Sequence, residues 1–182
     1  SMGGLISQRF VANHPERVER LVLMNCSLGS GHTGTLLPAP AVINMFLFAA
    51  ALTEEDCVRN ALDYNFGPDF EQSDPESYAW WFDYTMKNAS GIPSQIPIMV
   101  SDEALIEDYS AVEHPVLGIL STDDPITPPG NGEAFVESFP NAEVAYVDGY
   151  HASMVIHPEE VKQLISDFVD DRTVRTSRRV AA

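Results

Sequence analysis

The chain opens on a mostly apolar run. Residues 2 to 13 carry Ser7-Gln8-Arg9 as their polar break, a pattern that predicts a largely buried helix. His14-Pro15 ends it, because the residue before a proline avoids the helical region. From Glu19 to Cys26 the centre is continuously apolar, which predicts a strand covered on both faces, as in parallel sheets flanked by helices. The pattern then changes. Residues 27 to 35 are rich in Gly, Ser and Thr and read as loop, and from 38 to about 110 helical segments dominate. Pro38 and Pro40 precede the apolar run Ala41 to Leu52. Thr53 stands as a cap before Glu54, Glu55 and Asp56, acids that favour a first helical turn. Asp74-Pro75-Glu76 opens a further helix, stopped by Asn88-Ala89-Ser90-Gly91, and a short helix is expected over 94 to 107.

Periodicity tightens again after His114. His114 to Leu120 predicts a second buried strand, 131 to 138 a short helix, and Glu143 to Val147 a third strand. Pro158 opens a last helix to about Asp170, with Val161, Leu164, Ile165, Phe168 and Val169 on its inner face. The order is helix, strand, helical insertion, strand, helix, strand, helix. It predicts an α/β fold with a small parallel sheet flanked by helices.

Composition narrows this picture. The 182 residues suit one domain, or one core with a large insertion, and 45% hydrophobic residues supply a sizeable core. Lys+Arg 10 against Asp+Glu 27 gives a net charge of −17, which argues against nucleic acid as a partner. Cys26 and Cys57 show no framework spacing and fit reduced thiols in a cytoplasm. No opening stretch reads as a secretory signal, and Ala41 to Leu52, interrupted by Asn44, is short for a membrane span. The basic residues from Arg172 lack an apolar face and read as a flexible tail. No His/Cys/Asp cluster has ligand spacing, so neither a metal nor a cofactor is expected.

The candidate chemistry begins at Ser1-Met2-Gly3-Gly4, where a serine enters a helix through small residues. Serine is also a good N-cap whatever its chemistry, and a residue appended for expression would look the same. The second candidate is the loop Ser121-Thr122-Asp123-Asp124-Pro125-Ile126-Thr127-Pro128 after the second strand, and the third is Asp148-Gly149-Tyr150-His151 after the third. Catalytic groups in parallel sheets gather at such carboxyl ends. Of the other histidines, His14, His114 and His157 each precede a proline and read as capping or turn residues, and His32 sits in a loop from which it could reach a pocket.

Taken together, these segments resemble the carboxyl-terminal part of an α/β-hydrolase, from the nucleophile elbow onward, in the esterase/lactonase-like branch with a helical lid. Ser1-Met2-Gly3-Gly4 is similar to the second half of the G-x-S-x-G elbow. His14-Pro15-Glu16-Arg17-Val18, the Ser121-x-x-Asp124-Pro125-x-x-Pro128 loop, and Gly149-Tyr150-His151 with His157-Pro158-Glu159-Glu160-Val161 resemble family segments, with Ser121 where glycine is usual. The resemblance divides the chain into 1–29 (elbow, helix, first strand), 30–110 (lid), 111–171 (acid and histidine loops) and 172–182 (tail). It implies Ser1 as nucleophile, His151 as general base and Asp124, rather than Asp123, as the residue orienting the imidazole. It also implies the Met2 N–H as an oxyanion donor. Phe46 and Trp81 are the candidate pocket residues of the lid, although aromatic residues at helical spacing usually pack a lid against itself.

The implied substrate is a small carboxylic ester or lactone with an apolar portion. The implied strands ahead of the elbow are not in the sequence. Without them the sheet has an exposed edge, expected to be covered by a second copy or by the missing amino-terminal half. The alternative is a catalytically inactive relative acting as an oligomeric or binding module. A third reading makes Ser1 an N-terminal nucleophile with its own amine as base.

Overall fold

The computed structural model describes residues 1–48, 51–88, 106 and 108–171. The tail from 172 lies outside them, as does the helix expected over 94 to 107 apart from Ile106. Helix α1 (Met2–Asn13) leads into strand β1 (Leu21–Met24). Helices α2 (Pro40–Phe48), α3 (Glu54–Phe66), α4 (Phe70–Ser73) and α5 (Pro75–Asn88) follow. Strand β2 (Val116–Ser121), helix α6 (Asn131–Ser138), strand β3 (Ala142–Val147) and helices α7 (Ser153–Ile156) and α8 (Pro158–Val169) complete the described chain.

The sheet is small and parallel, in the order β1-β2-β3. Leu21 is level with Val116, and Val116 with Ala142, so the carboxyl ends of all three strands face one rim. β2 is central and buried along its whole length. Alternation splits its side chains between two apolar layers. Val116 and Leu120 join Leu21, Leu23, Val11 of α1 and Phe135 of α6 on one face. Leu117 and Ile119 join Ala145, Val147 and the Val161, Leu164 and Phe168 stripe of α8 on the other. Ile165 lies at the flank of that stripe. Val169, expected inside, is 53% exposed at the helix end. Gly118 leaves room for Phe135: a Cβ there would stand 2.8 Å from the ring. β1 is shorter than the apolar run suggested, because Asn25 turns the backbone to φ 42 directly after Met24.

The helical segment between β1 and β2 has its own core. Val58, Leu62, Phe70 and Tyr78 are buried together, with Phe66, Trp81 and Phe82 against them. Thr53 caps α3 by accepting the Asp56 N–H at 3.1 Å, and Asp74 accepts the Ser77 N–H at the start of α5. The segment is fastened to the rest of the fold at two places. At the near end, the Ala39 N–H donates to the Pro125 carbonyl, and Asn131 bonds both polar backbone groups of Leu36. At the end of α3, the Ala152 N–H donates to the Asn65 carbonyl at 2.8 Å.

Among the described residues no helix is long and apolar enough to cross a membrane. The two cysteines differ sharply. Cys26 is 2% exposed beneath Gly4, and burial pushes its thiol up to about 11, so it stays protonated and unreactive at neutral pH. Cys57 is partly exposed on α3. A thiol-disulfide reagent at pH 7 is expected to modify Cys57 alone in the folded protein and both cysteines in denaturant. Rapid modification of Cys26 without denaturant would contradict this packing.

Candidate active site

Two loops at the carboxyl rim of the sheet bring a carboxyl group and an imidazole together. Asp124, 3% exposed, follows β2. Its Oδ1 accepts the backbone N–H groups of Ile126 and Thr127, both at 2.8 Å, which fixes the side chain within its own turn. Oδ2 is left to face His151, whose Nδ1 lies 2.7 Å away. A carboxylate only accepts, so Nδ1 carries the proton in this pair, and in the neutral ring that tautomer leaves the lone pair on Nε2. His151 is itself 8% exposed. Asp123 points elsewhere: it is exposed and accepts the Thr122 hydroxyl at 2.8 Å.

Ser1 stands at the head of α1. Its carbonyl accepts the Gly4 N–H at 2.8 Å, and its nitrogen donates to the Met24 carbonyl at 2.8 Å. The helix therefore rests on the end of β1. Gly4 permits this, since a Cβ there would fall 2.3 Å from the Cys26 sulfur. The first N–H groups of a helix have no partner within it, and that of Met2 is the first in α1. Ser1 borders a cavity of about 370 Å³ shared with Ile126 and Thr127 of the Asp124 loop. Apolar side chains supply most of the remaining wall, among them Leu5, Leu36, Leu37, Ile43, Phe46 and Leu47. Among the described residues no hydrogen bond joins the Ser1 hydroxyl to His151.

The two aromatic candidates part company here. Phe46 of α2 borders the cavity. Trp81 of α5 does not. It packs against Phe66 at 5.2 Å and edge-on to Trp80 at 4.8 Å, half-buried against the core of the helical segment. His32 turns away from the cavity, with Nδ1 accepting the Gly34 N–H and the ring set edge-on to Tyr109. His114 reaches the Pro15 carbonyl, and His14 lies against Phe10. Among the described residues no group of three or more His, Cys, Asp or Glu is arranged to hold a metal ion.

No family model matches the chain. The chain is 24% identical over 183 residues to the poly(3-hydroxyalkanoate) depolymerase of Ectopseudomonas oleovorans, aligning 96% of its own length with 60% of that protein. Solved structures superpose closely. The enol-lactonase of Burkholderia xenovorans does so with a TM-score of 0.76 at 22% identity, over 93% of this chain and 63% of that one. A thermophilic esterase does so with a TM-score of 0.73 at 21% identity, over 94% and 64%. The chain has part of the α/β-hydrolase fold. It spans less than two thirds of these relatives.

Within this partial α/β-hydrolase fold, the residues that sequence reading missed are polar and buried. Asn25, Ser121 and Ser153 are at most 2% exposed and bonded to one another under the His151 loop. The visible signals were faint. Asn25 is a polar residue ending an apolar run, in the left-handed region that asparagine tolerates better than most residues. Ser121 differs in sequence only by standing where the resembled loop usually has glycine.

Proposed function

We propose that the chain is the catalytic-loop portion of a serine hydrolase for a carboxylic ester or lactone with an apolar portion. Ser1 is the nucleophile, and His151 takes its proton and returns it to the leaving group. Asp124 holds the ring in the tautomer that leaves Nε2 free to accept, and the Met2 N–H is one donor to the oxyanion. The helical segment acts as the lid, with Phe46 against the apolar part of the substrate. The observation that carries this reading is the buried 2.7 Å contact between His151 Nδ1 and Asp124, in a loop that shares its cavity with Ser1. Hydrogen bonds to a nucleophile are often long before substrate binds, so the open Ser1–His151 contact is compatible with it. The depolymerase and lactonase similarities support ester or lactone chemistry. The reading includes a partner for the free edge of β1, either preceding chain or a second copy.

A fluorophosphonate probe is expected to label Ser1, as located by peptide mass, and Ser1→Ala is expected to abolish labelling. The second reading, a catalytically silent binding module, draws on the absence, among the described residues, of a hydrogen bond between the Ser1 hydroxyl and His151. It predicts an apolar ester retained in the cavity with no label on Ser1, and labelling of Ser1 rejects it.

A further inference from the structure

The three buried polar residues beneath the histidine loop form more than local packing. Asn25 sits where β1 ends, and its side-chain amide has one consistent orientation. Oδ1 accepts the Ser121 backbone N–H at 2.9 Å, a partner that can only donate. Nδ2 donates to the His151 carbonyl at 2.6 Å, a partner that can only accept. Its second proton goes to the Ser121 hydroxyl at 2.8 Å, and that hydroxyl donates onward to Ser153 at 2.6 Å. The backbone carbonyl of Asn25 is engaged as well, by the Thr127 hydroxyl at 3.1 Å. Thr127 in turn gives its N–H to Asp124.

The bonds therefore close a ring. It runs from the Asn25 amide to the His151 backbone, along the His151 side chain to Asp124, through Thr127, and back to the Asn25 carbonyl. We infer that Asn25 is a positioning residue that sets the His151 imidazole and the Asp124 carboxylate against each other, with Ser121 and Ser153 holding its amide in place. The end of β2, the Asp124 loop and the His151 loop meet at one residue because each contributes a group that this amide, or its own carbonyl, satisfies. The hydroxyl of Ser121 is integral to the device, since a glycine there would leave one Nδ2 proton and the Ser153 hydroxyl short of a partner. In a buried site such a gap disturbs the whole network. The inference takes the His151–Asp124 pair of the proposed function as its object, but rests on their 2.7 Å contact and not on Ser1 reacting.

The test is hydrogen exchange of the His151 Nδ1 proton, followed by its downfield nuclear magnetic resonance signal and assigned by loss in His151→Ala. Asn25→Asp keeps the size and the Oδ1 acceptor but removes the donor to the His151 carbonyl. It is expected to speed exchange of this proton about tenfold. The β2 amides of Leu117 and Leu120, in the sheet core, are expected to exchange at the wild-type rate. If Asn25→Asp fails to fold, Ser121→Ala serves instead, with a smaller acceleration still confined to His151. Unchanged exchange at His151, or equal acceleration at His151 and the β2 amides, would overturn the inference. Labelling of Ser1 is measured in parallel. A wild-type protein that resists the probe while Asn25→Asp frees the His151 proton sinks the hydrolase reading and leaves the positioning role standing.

Discussion

Asp124→Asn is expected to slow covalent labelling of Ser1 by a fluorophosphonate by about 10³- to 10⁴-fold, with the circular dichroism spectrum unchanged. The direction follows from the turn that holds the side chain. The N–H groups of Ile126 and Thr127 both point at Oδ1, so in the asparagine variant that position must be the carbonyl oxygen. The amide nitrogen is forced into the place of Oδ2, facing His151 Nδ1. It can only donate there, so Nδ1 becomes the acceptor and the ring proton moves to Nε2. An imidazole protonated at Nε2 cannot take the serine proton. His151→Ala is expected to fall as far, and the double variant no further, because residues acting as one unit do not add. Labelling within tenfold of wild type in Asp124→Asn would mean that the pair takes no part in activating Ser1.

Gly67→Ala is expected to destabilise the protein by about 3 kcal/mol and to loosen the helical segment first. Gly67 ends α3 with φ 100 and ψ 153, a region that essentially only glycine occupies. A Cβ there would also meet the Tyr150 ring at 2.6 Å. Tyr150 directly precedes His151, so the alanine presses on the loop that carries the imidazole. The change is expected as a lowered urea midpoint, with faster amide exchange in α3 and α7 than in β2. An unchanged midpoint would show that the turn and the ring yield more cheaply than their geometry implies.

Much of the framework was legible because it depends on local pattern. The continuous apolar stretch of β2, the Thr53 cap and the Pro158 helix start all announce themselves within a few residues. The pairing of Asp124 with His151 was accessible only through the order of segments, since nothing local links residues 27 positions apart. Phe46 and Trp81 were indistinguishable in sequence: both lie on apolar helical stretches, and only packing decides which helix borders the cavity. The role of Asn25 was out of reach, because its partners lie 96 and 126 residues away and the residue type alone suggests a turn.

The fastenings of the helical segment also mark where it could be exchanged. Ahead of α2, Leu36 ties to Asn131 and Ala39 to the loop of Asp124, and at the end of α3 Asn65 bonds Ala152 while Gly67 lies against Tyr150, on either side of His151. A graft from a relative, swapped in to alter what the cavity accepts, would have to carry its sutures at both sites. Joined anywhere short of them, it would bring a foreign ceiling to a floor no longer held level.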